Sequence, residues 1–385
     1  MSVELGLLVV FRGGQVGYAC APYPAVLTFT SWFGVLGLTY FIVWFNSSVA
    51  KGIHLGWFQN EKRNLKWILT YFLVPAGILG GVELCGVVEI SHPCKEVGTI
   101  SILQPNIDQS VKWDKKYETN TFNEMQNLTQ QASTKKPDLI LWPETAAPSF
   151  LLWSSDDLTR VKNMVFKSNI PALVGCLDLW RSGIQMETAF NAAIHFDSTG
   201  KPVGLYRKRH LVPFGEYVPF QKYLLFLGPV VRDLGNFEPG SVYCRFTAGK
   251  FSYTPLICYE AIFPQDVRLA LQTGADVLVN ISNDAWYGRT ASAYQHAMMA
   301  VVRSAEERKP LFRAANTGIS LITDPYGRLL DQTPLYQEAV LTGNVLVSSE
   351  SSWYYRFGNW IVWFGLFISL GSFLIAIRTK LKNHD

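Results

Sequence analysis

Metal-type cysteine pairs are missing from this chain. No two of its six cysteines stand at C-x-x-C spacing, and they form no metal-type pattern with the six scattered histidines. Zinc ribbons, haem attachment sites and dithiol redox centres are thereby excluded. Charge is scarce as well: 17 % of the residues are charged, and the formal net charge of +4 is too small to argue for a nucleic-acid partner. The chain has no internal repeat and no low-complexity segment. Residues 1–24 lack the basic start and apolar run of a cleavable signal.

What is abundant is apolar surface, 49 % of the residues, and it is concentrated. Residues 25–45 carry no charge and are long enough to cross a bilayer. Residues 67–82 form a shorter run containing Pro75, Gly77, Gly80 and Gly81, which spans with help from flanking residues or neighbouring helices. Residues 358–377 are a third uncharged run, preceded by Trp353, Tyr354 and Tyr355 like an interfacial belt. Lys51, Lys62, Arg63 and Lys66 lie between the first two runs, and Arg378, Lys380 and Lys382 follow the third. Positive flanks favour the cytoplasm, so the long middle segment is expected outside it. The expected organisation is an exterior segment at 1–24, two transmembrane helices with a cytoplasmic loop at 25–83, a periplasmic catalytic domain at 84–357, a C-terminal transmembrane helix at 358–377 and a cytoplasmic tail at 378–385.

Within the middle segment, short β-type runs alternate with longer amphipathic ones. Strands are predicted at 99–103, 139–142, 172–175, 192–196, 203–206, 251–258, 277–281, 319–323 and 339–344. Helices are predicted at 116–133, 158–167, 264–273 and 292–309. Asp197 to Gly200 and Asp324 to Gly327 read as reversals. The fold class is α/β or α+β, with helices covering the sheets.

Three strings in this segment carry chemistry. In LICYEAIF, Cys258 follows a strand and precedes a possible helix, a turn that exposes a nucleophile and aims backbone N–H groups at an oxyanion. A thiol with a pKa near ~8.5 needs a base or a cation to react at neutral pH. In LILWPETA, Pro143 stops a strand and sets Glu144 at the sheet's rim, suited to taking the thiol proton. In YRKRHLVPFGEY, Lys208 supplies an ammonium for the thiolate and the oxyanion, while nearby His210 leaves a Cys–His dyad open as the rival arrangement.

Together WPE, K-x-x-L-x-P-F-G-E and ICYE resemble the nitrilase (carbon–nitrogen hydrolase) superfamily over about residues 98 to 345. LQPNIDQSVKWD, HLVPFGEYVP, ICYEAIFP, NISNDAWYG and the span TSWFGVLGLTYFIVWFN resemble its membrane branch, the apolipoprotein N-acyltransferases. The resemblance implies a nitrilase-like α-β-β-α sandwich attached to transmembrane helices. It implies Glu144 as general base, Lys208 as oxyanion stabiliser and Cys258 as acyl-accepting nucleophile, with Glu216 as a second carboxylate positioning the site. Tyr259 and Glu260 match family positions, the Tyr259 N–H being the second oxyanion donor; Trp113 resembles a tryptophan lining the lipid entrance, and Asn283 and Trp286 shape the pocket wall. The implied reaction moves a fatty acyl chain from a phospholipid, phosphatidylethanolamine, through a Cys thioester to the α-amine of an S-diacylglyceryl-cysteine lipoprotein. The alternative is a membrane-tethered amidase or hydrolase of nitrilase type. No metal and no cofactor are implied, and the expected setting is a monomer in the bacterial inner membrane with its catalytic domain on the periplasmic side. The family has about eight spans against three here, so the chain is expected to lack the early N-terminal spans.

Overall fold

The computed structural model describes residues 15–58, 66, 69–112, 115–182, 186–217 and 237–382. The chain divides into two compact units, one of residues 1–92, 305–308 and 350–385 and one of residues 93–304 and 309–349.

The first unit holds the apolar helices. Thr30–Phe58 is one such helix, interrupted at Gly34, where φ is 68° and where Glu306 Oε1 accepts the Val35 N–H at 2.6 Å. The second runs Leu69–Ile90, eight residues past the expected end at 82 (90 − 82). Glu83 and Glu89 ended the uncharged run in the sequence, but Glu89 is accommodated: it accepts Trp32 Nε1–H at 3.1 Å and pairs with Arg308. Thr30–Leu55 and Leu69–Ile90 are long and apolar enough to cross a membrane; the helix Trp360–Lys382 carries a shorter apolar stretch, Trp360–Ile375.

The second unit is two six-stranded sheets. The first takes β1 (Lys95–Gln104), β2 (Leu139–Leu141), β3 (Ala172–Ser182), β4 (Met186–Phe196), β5 (Pro202–Arg207) and the last strand, β12 (Ala339–Val347), in the order β12-β1-β2-β3-β4-β5. The other takes β6 (Phe246–Ala248), β7 (Phe251–Ile257), β8 (Val277–Ser282), β9 (Leu311–Ala315), β10 (Leu321–Thr323) and β11 (Leu329–Gln332), in the order β11-β10-β9-β8-β7-β6. The centre of each sheet is parallel, β1-β2-β3 in one and β7-β8-β9 in the other. Parallel strands in such sheets are buried on both faces, and every residue of β7, β8 and β9 is buried.

Helices Lys115–Ser133 and Ser155–Ser168 cover the first sheet, packing Phe122, Met125, Leu128, Val161 and Val165 against Leu103, Ile140, Trp142 and Val174. Burying side chains of this size stabilises by about 1.5–3 kcal/mol each. Pro264–Leu271 packs on β7 and β8. Polar contacts join the sheets: Tyr253 Oη meets His195 Nδ1 at 2.8 Å, and Ser320 Oγ donates to Gln104 Oε1 at 2.6 Å. The result is the α/β nitrilase-like sandwich expected from the sequence. β7 and β8 end on the residues just before Cys258 and Asn283, and β2 ends three residues before Glu144, so strand ends assemble the site, as is usual where parallel strands meet ligands.

Candidate active site

Cys258 begins a 3-10 turn, Cys258–Ile262, directly after β7. Its φ of 53° lies in the left-handed region, which costs a side-chain-bearing residue about 1–2 kcal/mol. The turn is held in place by Glu260. This buried carboxylate accepts the Ile257 N–H at 2.6 Å, the Arg209 and His210 N–H groups at 2.7 and 3.1 Å, and the Tyr206 hydroxyl at 2.8 Å. One side chain thus ties the nucleophile's turn to the loop that carries Lys208. Burial pushes the Glu260 carboxyl up, against the pull of those N–H groups.

Lys208 is 1 % exposed and lies between two carboxylates. Its Nζ is 2.8 Å from Glu216 Oε2 and 3.7 Å from Glu144 Oε1. Burial alone would lower its pKa, but Glu216, Glu144 and Cys258 drive it above the ordinary lysine range, so this charge is permanent. Asn191 bridges the two acids, donating from Nδ2 to Glu144 Oε1 at 2.7 Å and to Glu216 Oε1 at 2.8 Å. The other Glu144 oxygen accepts the Asn283 N–H at 2.7 Å. Gly175 on β3 leaves room for all this: a Cβ there would lie 2.2 Å from the Pro143 carbonyl and 2.8 Å from Glu144 Cα.

The Cys258 thiol is pushed up to about 12, by burial first and then by the Glu144 and Asp284 carboxylates; Lys208 and a hydrogen bond from Ser282 pull the other way. At neutral pH it rests as S–H, and attack requires a base at the moment of reaction. The structure therefore gathers Glu144, Lys208, Glu216 and Cys258, with Glu260 and the Asn283 backbone as supports. Tyr259 is half-buried against Phe263 and His210. Trp286 is 77 % exposed, and Trp113 lies outside the described residues. His210 turns Nδ1 to Asp266 at 2.9 Å and stacks on Phe263, so its ring is engaged elsewhere.

Several neighbours escaped the sequence reading. Lys112 is 2 % exposed and donates from Nζ to the Glu144 carbonyl at 3.0 Å. Burial pushes it down to about 8 in spite of Glu144 and Cys258. In the sequence it is one of several lysines beside the more conspicuous Trp113. Asn191 sits in an unremarkable β4 string, and only the sheet pairing brings it over Glu144. Asp284 and His296 place ligand atoms within 4.8 Å of each other and of the Cys258 sulfur. That is the donor set of a cation site, but Arg313 already bonds both Asp284 oxygens, at 2.8 and 3.0 Å, and supplies the positive charge there. The residues do not fit a resident metal ion.

Residues 99–355 match the carbon–nitrogen hydrolase family. The chain belongs to that family. Within it, the chain falls among the apolipoprotein N-acyltransferases: it is 34 % identical to the one from Geobacter metallireducens over 97 % of its own length and 70 % of the relative's. The Haemophilus influenzae enzyme of the same name is also 34 % identical, over 91 % of this chain and 68 % of its own. The chain thus spans about two thirds of the length of these relatives. Among solved structures, an amidase from Nesterenkonia sp. aligns at a TM-score of 0.50 with 17 % identity, over 65 % of this chain and 91 % of its own. The chain shares the amidase's fold.

Proposed function

We propose that the chain transfers a fatty acyl group from a phospholipid, through a thioester on Cys258, to the N-terminal α-amine of an S-diacylglyceryl-cysteine lipoprotein. The observation that carries this reading is the reach of the match. Identity to a named N-acyltransferase covers 97 % of the chain, apolar helices included, whereas the amidase likeness covers 65 %. A water-dependent amidase has no need of such helices; an enzyme that draws its donor from a bilayer does. The proposed setting is the bacterial inner membrane with the catalytic unit on the periplasmic side, as the Lys and Arg flanks favour. The proposed donor is phosphatidylethanolamine, used by a monomer.

In the first half-reaction Glu144 takes the Cys258 proton, the sulfur bonds the ester carbonyl carbon, and the proton passes to the departing lysophospholipid alkoxide. The Lys208 ammonium and the Tyr259 N–H stabilise the oxyanion between these steps. In the second half Glu144 takes a proton from the incoming ammonium and releases it to solvent, nitrogen bonds the acyl carbon, and as the C–S bond breaks the second nitrogen proton passes through Glu144 to the departing sulfur, restoring the Cys258 thiol. Glu216 and Asn191 hold Lys208 and Glu144 at a fixed spacing throughout. Trp113, Asn283 and Trp286 are proposed to contact the lipid chains.

The test supplies the full chain, in detergent–phospholipid micelles, with labelled phosphatidylethanolamine and a synthetic diacylglyceryl-cysteine peptide. The expected result is a triacylated peptide and a hydroxylamine-labile acyl group on Cys258. Labelled free fatty acid without labelled peptide would replace the transferase by a hydrolase. An acyl group retained in Cys258→Ala would overturn the site.

A further inference from the structure

The turn Ser282-Asn283-Asp284, where β8 ends, touches both partners of the proposed proton transfer. Asn283 gives its N–H to Glu144. Ser282, fully buried, stands one residue past the β7–β8 pair Ile257–Ile281 and so lies opposite Cys258. Its hydroxyl donates to Asp284 Oδ1 at 2.8 Å, Asp284 sets a carboxylate oxygen within 4.8 Å of the Cys258 sulfur, and Ser282 pulls the thiol's pKa down. A hydroxyl has one hydrogen, so it cannot serve Asp284 and a thiolate together. With Cys258 as a thiol there is no conflict, because Ser282 gives its hydrogen to Asp284.

Asp284 does not depend on that hydrogen. Its carboxylate also takes Arg313 at 2.8 and 3.0 Å and His296 Nδ1 at 2.9 Å, and burial is outweighed by these partners so that it stays ionised. Arg313 reaches further, to Asn280 Oδ1, and Asn280 Nδ2 donates to the carbonyls of Leu256 and Cys258. Gly318 closes the frame: a Cβ there would lie 2.2 Å from Asp284 Oδ2. The same frame therefore fixes the nucleophile's backbone and the hydroxyl at its sulfur.

We propose that Ser282 is a further catalytic residue, whose hydroxyl hydrogen swings from Asp284 to the sulfur as Cys258 ionises, and that Asp284, Arg313 and His296 are its positioning residues. The step balances without a co-reactant. Glu144 removes the sulfur's proton, one O–H···O hydrogen bond breaks and one O–H···S hydrogen bond forms; no covalent bond to Ser282 changes. Once the sulfur is acylated its charge is gone and the hydroxyl returns to Asp284. A hydrogen bond to a charged group is worth more than one between neutral groups, which gives the thiolate a donor the thiol does not need.

This inference rests on Cys258 as the nucleophile, and the experiment separates the two. The full chain in micelles is alkylated with iodoacetamide between pH 7 and 10, and the Cys258 peptide is followed by mass spectrometry; thioester formation from phospholipid is timed alongside. The charged and titratable groups facing the sulfur are Glu144, Lys208, Lys112, Asp284 and His296, with the phenols of Tyr259 and Tyr287, and all are left in place. Ser282→Ala is expected to move the rate–pH line up by about one pH unit and slow thioester formation about tenfold. Ser282→Thr, which keeps the hydroxyl, is expected to restore both at an equal melting temperature. A Ser282→Ala line that superimposes on the wild type overturns the role of Ser282 alone. Thioester formation persisting in Cys258→Ala overturns the nucleophile instead.

Discussion

At the scale of single residues, the site works by setting like groups apart. Two buried lysines lie near one thiol, yet Lys208 is driven above the ordinary range by two carboxylates while Lys112 falls to about 8. The first is a fixed charge and the second titrates. Lys112 binds fewer protons folded than unfolded between about pH 8 and the ordinary lysine value of 10.5. Its contribution to stability accordingly rises with pH across that window and is unfavourable below it. The difference in melting temperature between Lys112→Met and wild type should therefore shrink from pH 7 to pH 10; a constant difference would place the amine outside the low-dielectric site. Glu144 is the only group here expected to move a proton in both halves of the reaction. Glu144→Gln should fold and slow thioester formation about a hundred- to ten-thousandfold, measured as acyl label on Cys258.

At the scale of elements, most strands were legible as apolar runs bounded by turns, and the three reactive strings announced themselves at strand ends. What the sequence hid has physical reasons. β3 runs to Ser182, not to Gly175, because that glycine marks a close approach to Pro143 and Glu144 and not an end. β9 was missed because Arg313 interrupts its apolar string, and a buried arginine becomes intelligible only beside Asp284 from another element. β11 lies wholly exposed after a reversal that was itself recognised, so it had no burial pattern to show. Asn191 carries no local signal, since its role comes from register alone. Gly175→Ala tests the close approach. It should destabilise by about 1–3 kcal/mol and lower acyl transfer more than its loss of stability explains, because the added methyl displaces the backbone at Glu144. Unchanged activity in the folded variant would show that Glu144 tolerates the shift.

At the scale of the whole molecule, the chain joins a helical unit whose outward faces are apolar to a sandwich whose polar groups turn inward. Val362, Trp363, Phe364, Phe367 and Phe373 are all 40–75 % exposed, an arrangement suited to lipid and costly in water. The sandwich hides the reverse: Lys208, Glu260, Asp284 and Arg313 are each at most 1 % exposed. The left-handed backbone at Cys258 extends this contrast to folding free energy. Only glycine occupies that conformation without penalty, so Cys258→Gly should unfold about 1 kcal/mol later than Cys258→Ala in a denaturant titration, although neither carries a nucleophile. Equal midpoints would mean that the turn relaxes once the sulfur is gone. If the gap is found, the working sequence is less robust than an inert one on the same scaffold, and selection for turnover has held the chain below the stability its own architecture permits.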